Sequence, residues 1–198
     1  MDFQIVRAKK AVSAMMTDRG FLPSRKLPDP SESTSKECVI WDFVHEKDPE
    51  KFARVFWSLG SESKMSFVQQ VFSEAASGKL NQIVIIVEHP LVSKAKTTVN
   101  SITKIVNTCV FELSDVQFRK PSHILVPHHR LLSEVEKQKV LEDYQVKQEK
   151  CPRISDLDPI VQWYGWSLGD LIEIQRKEGV FKNDKTYRIV WEHETLGE

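Results

Sequence analysis

CPRISDLDPIVQWYGWSLGDLIEI, residues 151–174, sets two turns around a helix of barely more than one turn and then runs into a strand-like alternation. Asp158 can cap that helix. Pro159 takes its first position, where a missing N–H costs nothing, and Gly165 stops it. CPRISDLDP before it reads as a turn region. SLGD after it turns the chain again, and LIEIQRK (171–177) and KTYRIVWE (185–192) read as two strands joined by EGVFKND. Upstream, HILVPHHRLL leads into SEVEKQKVLEDY. There Ser133 and Glu136 have capping-box spacing, and Val140, Leu141 and Tyr144 are expected to face inward. Together these elements make a small mixed αβ domain over 119–198, near the lower size limit for folding alone. Trp163, Tyr164 and Trp166 are too bulky for so small a domain to bury them all, so some are expected to face a partner.

Working outward, VQFRKPS breaks the pattern near Val116–Ser122, and a first domain is expected over 1–118. Ile5, Ala8, Val12 and Met15/Met16 recur at helical period, with Asp2 available as a cap and Gly20 as a stop. Residues 23–37, PSRKLPDPSESTSKE, read as an exposed loop. ARVFW (53–57), the apolar face Phe67, Val68, Val71, Phe72 and Ala75, QIVIIVE (82–88), SKAKTTVNSITKIV (93–106) and NTCVFEL (107–113) then alternate strand and helix. Short joints make this a parallel βαβ arrangement with right-handed crossovers, and ECVIWDF (37–43) offers a further strand. The fold class is therefore α+β, a mixed α/β chain of two domains. The rhythm of 38–113 resembles the core of restriction-type endonucleases.

Composition limits the function. The 198 residues carry 28 basic and 28 acidic side chains, so the formal net charge is zero, which makes the chain a poor candidate for gripping a phosphate backbone over its whole surface and leaves room for a local patch. Cys38, Cys109 and Cys151 have no C-x-x-C spacing, which argues against a disulfide scaffold or structural zinc and for a reducing compartment. No stretch reaches about 18 apolar residues, so no membrane span is expected and the protein reads as soluble and intracellular. No glycine-rich phosphate turn precedes a helix.

Candidate chemistry is sparse. His123, His128 and His129 lie close in sequence, but neighbours on an extended segment point to opposite faces, and no metal site is expected. Glu142 with Asp143, or Asp156 with Asp158, are better read as solvated helix positions and a cap than as an acid–base pair. Nuclease chemistry would need D…[DE]-x-K carboxylates; QIVIIVE continues as E-H-P, and Asp42 stands isolated. No catalytic residue, metal or cofactor is expected. Arg7, Lys9, Lys10 and Arg19 make the first helix basic on one side, and Lys94, Lys96 and Lys104 do the same for 93–106. Either set is a solvated face, or it makes weak, sequence-independent contact with a duplex backbone.

Across 121–191 the order H-x-L-V-P-x-H, EK before a leucine-type face and Tyr, P-R-I, D-P-x-x-x-x-Y-G, G-D-x-x-x-I-x-R and Y-R-x-V resembles a known domain. It is the C-terminal domain of the fifth-largest subunit shared by eukaryotic nuclear RNA polymerases, whose archaeal equivalent is the small H subunit. MMTDRGFLPS and QIVIIVEHPLVSKAKTTVNSI are similar to the family's first helix and to its jaw domain. The chain departs from the pattern at Gln162 and over 176–184. The resemblance implies a non-catalytic subunit whose C-terminal domain docks on the largest subunit and other polymerase subunits, with the N-terminal domain forming the lower jaw near downstream DNA. A free-standing transcription adaptor is the alternative. The docking contact is then expected at Pro152, Arg153, Ile154, Asp158, Pro159, Trp163, Tyr164, Trp166, Tyr187, Arg188 and Trp191. Arg7, Lys9, Lys10, Lys94, Lys96 and Lys104 are the DNA-proximal set. A cellular protein of this kind belongs in the nucleus, and one encoded by a large DNA virus in the virion or host cytoplasm.

Overall fold

The computed structural model describes residues 2–32, 38–60, 65–176 and 185–193. Two compact units divide at Arg119 and Lys120. The N-terminal unit is a five-stranded sheet in the order β1-β2-β3-β4-β5, built from Phe21–Pro23, Val39–His45, Phe52–Ser58, Gln82–Val87 and Asn107–Glu112. β3, β4 and β5 are parallel, joined through helices α2 (Met65–Ala76) and α3 (Ser93–Thr103). The expected βαβ rhythm is thus present, but the sheet is mixed: β1 and β2 extend it antiparallel, β2 returning into β3 through the short connection 46–51. β1 ends on Pro23, the first residue of the stretch expected to be loop.

Burial follows from this placement. β4 is central, and Ile83 through Val87 are all buried, as strands covered on both faces must be. On one face Phe56, Ile83, Ile85 and Val87 meet Val68 and Val71 of α2 and Ala95, Val99 and Ile102 of α3. On the other, Trp41 packs against Trp57 with ring centroids 4.8 Å apart. Helix α1 (Asp2–Asp18) buries Ile5, Ala8, Val12, Met15 and Met16, so its apolar stripe has the expected period; Asp2 is its first residue rather than a flanking cap. Gly20 ends the turn after it at φ +82°, where a β-carbon would sit 3.0 Å from the His45 ring. In α3 the hydroxyls of Thr97, Thr98 and Thr103 donate to the carbonyls of Ser93, Lys94 and Val99 one turn back.

The C-terminal unit is a four-stranded sheet ordered β6-β8-β9-β7, from His128–Leu131, Leu171–Gln175, Lys185–Trp191 and Arg153–Ser155. Two of these strands correct the sequence reading. P-R-I-S is a short edge strand parallel to β9 rather than a turn, and H-H-R-L pairs antiparallel with β8. The joining segment 177–184, which holds most of the departure from the family pattern, lies outside the described residues. Helix α4 (Glu134–Asp143) covers one face of the sheet through Val140, packed with Leu132, Leu171 and Ile189. Helix α5 (Pro159–Tyr164) covers the other through Val161, packed with Ile154, Ile172, Ile174 and Val190.

Candidate docking face of the C-terminal unit

Local chemistry places α5 as its sequence demands. The Asp158 carboxylate accepts from the Ile160 and Val161 N–H groups at 2.8 and 3.4 Å, Pro159 holds the first position, and Gly165 closes the helix at φ +66°. In the following turn the Asp170 carboxylate accepts from the Ser167 N–H at 2.8 Å. Burial raises the Asp170 pKa against the lowering effect of that bond.

The eleven residues expected to dock do not form one face. Trp163 is completely buried and Ile154 nearly so, which removes both from any surface available to a partner. The reason is geometric: α5 is so short that Ile160, Val161 and Trp163 are all needed to seat it. Tyr164 and Trp166 remain half-buried and stack with centroids 4.7 Å apart and planes 11° apart. Trp166 packs on the α5 side of the sheet. Arg153 stands on the opposite side, its guanidinium 4.2 Å from the centroid of Trp191. Pairing follows the pleat, so Arg153, Tyr187, Ile189 and Trp191 point to the α4 side and Ile154, Arg188 and Val190 to the α5 side. Arg188 reaches the Arg153 carbonyl at 3.0 Å, tying down edge strand β7. Asp158 and Pro159 are occupied with capping, and Pro152 is exposed where β7 begins.

Other apolar side chains, missed by periodicity, are turned to solvent. Ile124 and Leu125 are 88% and 82% exposed and Val135 81%, with Leu131 at 40% between them. Four large aliphatic groups between residues 124 and 135 are thus solvent-exposed, and exposed aliphatic surface marks interaction sites where it is contiguous. The signal was present in H-I-L-V-P, two aliphatics in a turn with no periodic partner, but periodicity tests elements and passes over turns. Tyr144 also corrects the reading of α4: it is 62% exposed, its ring edge-on to Tyr187, while Lys137 turns inward and donates to the Gly169 carbonyl at 2.9 Å.

Charge on the α4 side is concentrated at Glu173, which is buried. Lys185 lies 3.1 Å away, and the Arg130 guanidinium and the Tyr187 hydroxyl each lie 3.5 Å away. Burial pushes the Glu173 pKa up, but the bonds from Lys185 and Arg130 outweigh it and the net direction is down. Arg130 also binds Glu136 at 2.7 Å. The Ser133 N–H donates to Glu136 at 2.8 Å and the Ser133 hydroxyl accepts from the Glu136 N–H, so the capping box is complete. The Ser133 N–H, the Arg130 guanidinium and the Ser133 hydroxyl together hold the Glu136 carboxyl down at about 2, against 4.5 ordinarily.

A pH dependence follows. Because the folded pKa lies below the unfolded one, the unfolded chain binds more protons between the two values, and stability falls with pH there. The contribution of Glu136 is complete above about pH 4.5 and lost as the pH drops towards 2. Amide protection in the first turn of α4 is expected to decline across that window in the native chain and to be insensitive to it in Glu136→Gln. Matching profiles for the two proteins would refute the assignment.

The basic residues of the N-terminal unit scatter likewise. Arg19 is buried, donating to Gln82 at 3.1 Å, and leaves the basic face. Lys9 is bound to Asp29 at 2.6 Å, and that bond, with the N–H and hydroxyl of Ser31, holds the Asp29 pKa down at about 2. Arg7 and Lys10 stay exposed one turn apart, Arg7 lying 4.5 Å from the Phe3 ring centroid. Lys94, Lys96 and Lys104 are exposed, but Lys94 and Lys96 flank buried Ala95 and so project to opposite sides of α3. The Asp42 carboxylate is taken by Arg25 at 2.8 Å and Arg54 at 2.6 Å. Among the described residues, no group of three or more His, Cys, Asp or Glu side chains is placed to hold a metal ion. No described helix is long and apolar enough to cross a membrane.

This is a two-unit α+β protein whose C-terminal unit exposes several large aliphatic and aromatic side chains. Comparison with known proteins identifies its kind. The family RNA polymerase Rpb5, C-terminal domain, matches residues 118–190. DNA-directed RNA polymerase subunit Rpo5 of Pyrococcus abyssi is 42% identical over 76 residues, which are 38% of this chain and 93% of that protein. The subunit RPABC1 of DNA-directed RNA polymerases I, II, and III of Caenorhabditis briggsae is 23% identical over 202 residues, covering 95% of this chain and 96% of the relative. Subunit 5B of DNA-directed RNA polymerases IV and V of Arabidopsis thaliana is 32% identical over 81 residues, 41% of this chain and 37% of that one. The chain belongs to the Rpb5 family of RNA polymerase subunits.

Proposed function

We propose that the C-terminal unit docks this chain onto the largest subunit of a multisubunit DNA-directed RNA polymerase, and that the N-terminal unit forms part of the lower jaw beside downstream DNA. The chain is a non-catalytic component, and RNA synthesis belongs to its partners. One observation carries the reading. An archaeal protein named as a polymerase subunit is covered to 93% by a match of 76 residues, a length close to that of the C-terminal unit. What makes that relative a subunit therefore fits within a domain of this size. The exposed Ile124, Leu125, Leu131 and Val135, and the Tyr164–Trp166 stack, supply apolar area for docking. Arg153 and Arg188 add donors for partner carbonyls and carboxylates.

Any duplex contact made by the jaw rests on Arg7, Lys10, Lys94, Lys96 and Lys104. So dispersed a set gives weak, sequence-independent binding that falls as salt rises. The proposal places a cellular protein in the nucleus and a virally encoded one in the virion or host cytoplasm. Affinity purification from the native source is expected to recover the chain at about one copy per complex with two very large subunits, the stoichiometry of a resident component. Recovery with small adaptor proteins alone would overturn the assignment in favour of a free-standing adaptor.

A further inference from the structure

Strand β6 ends the C-terminal sheet, and among the described residues nothing pairs with its outer edge. Its hydrogen-bond phase can be read from one bond: the Leu132 N–H donates to the Leu171 carbonyl at 3.0 Å. Bonded pairs alternate along an antiparallel ladder, so Arg130 with Glu173 and His128 with Gln175 are the bonded pairs. The N–H and C=O groups of His129 and Leu131 therefore point away from β8, out of the sheet. Such a row is a template for another strand, and proteins usually blunt it with proline, lysine or a covering loop. The opposite edge is treated in that way, since Arg188 binds the outward carbonyl of Arg153 and the Asp158 N–H takes that of Ser155. Among the described residues no such group meets the outer edge of β6, whose protection is its length of four residues. Instead, the exposed Ile124 and Leu125 precede it, Leu131 lies on it and Val135 follows it.

We propose that the edge of β6 receives an extended segment of another polymerase subunit as a fifth strand of the sheet. The unsatisfied groups are backbone donors and acceptors in strand phase, and an extended backbone answers both; a helix, whose own groups are already paired, answers neither. His129 and Leu131 project to the same side, so the incoming strand carries apolar residues at alternate positions on that side, against Leu131. The aliphatic groups at 124, 125 and 135 extend the contact beyond both ends of β6. The inference rests on the docking role proposed above and specifies how docking is made.

Leu131→Pro is the discriminating variant. It deletes an N–H that β8 does not use and suits the extended backbone of an edge strand, whereas Leu131→Ala removes the side chain and keeps the N–H. With the tagged full-length chain in its native source, Leu131→Pro is expected to reduce recovery in the polymerase about tenfold or more relative to Leu131→Ala, with the circular dichroism of the free chain unchanged. Independently of any variant, the His129 and Leu131 amides of the native chain are expected to exchange freely alone and to be protected within the complex. Equal recovery of the two variants with unprotected amides would overturn the proposal and leave polymerase membership standing. A dimer of the free chain abolished by Leu131→Pro would also overturn it, by assigning the edge to a second copy. Absence of large subunits from the native purification would instead strike the docking role itself.

Discussion

Trp163→Ala is expected to unfold the C-terminal unit or to leave it barely stable. The ring is completely buried, and truncating a buried tryptophan typically costs about 3–5 kcal/mol in lost transfer energy and cavity formation. Small domains have only about 5–15 kcal/mol in total, so the loss removes a large part of it. A drop of more than roughly 10 °C in the melting transition of this unit is the expected readout. Tyr164→Ala and Trp166→Ala should cost distinctly less, because those half-buried rings lean on each other as well as on the sheet. A Trp163→Ala protein that melted like the native chain would show that the ring does not anchor the unit.

The second large effect is on assembly. Replacing Ile124 and Leu125 together by serine is expected to leave the fold intact, since both side chains are more than four-fifths solvent-exposed. The same double change should weaken incorporation into the polymerase by about 30-fold or more, the size of a strong interface hot spot. The combination of native circular dichroism and lost association is the test. Undiminished incorporation would move the contact away from this patch, with the Tyr164–Trp166 stack as the next place to substitute.

These two predictions show where the sequence could be read and where it could not. The ends of α4 and α5 were legible residue by residue: Ser133 and Glu136, Asp158 and Pro159, and Gly165 each act through backbone groups a few residues away. β4 was legible because a central parallel strand must be apolar on both faces. Trp163 was not, since its burial depends on how α5 seats on a sheet assembled from distant segments. β7 escaped notice because three residues beside a proline carry no periodicity. β6 escaped because a strand reading His-His-Arg-Leu looks polar. The residues expected to dock were pooled as one face, whereas burial removes Trp163 and Ile154 and strand pairing divides others between the two sides of the sheet. Only strand pairing reveals that Arg153 and Arg188 stand on opposite sides of the sheet. Nothing local announces that Lys137 turns inward to a carbonyl in a distant turn.

The buried carboxylate of Glu173 has a consequence for how the C-terminal sheet assembles. Its partners come from both strands that flank β8, Arg130 on β6 and Tyr187 and Lys185 on β9. If either flanking strand slipped by a single residue, its cation would swing to the far side of the sheet and the buried carboxylate would lose that counter-charge. Stranding a buried charge costs several kcal/mol, far more than the intact cluster adds to stability. Glu173 thus works as a register lock. It penalises single-residue misalignment of three short strands.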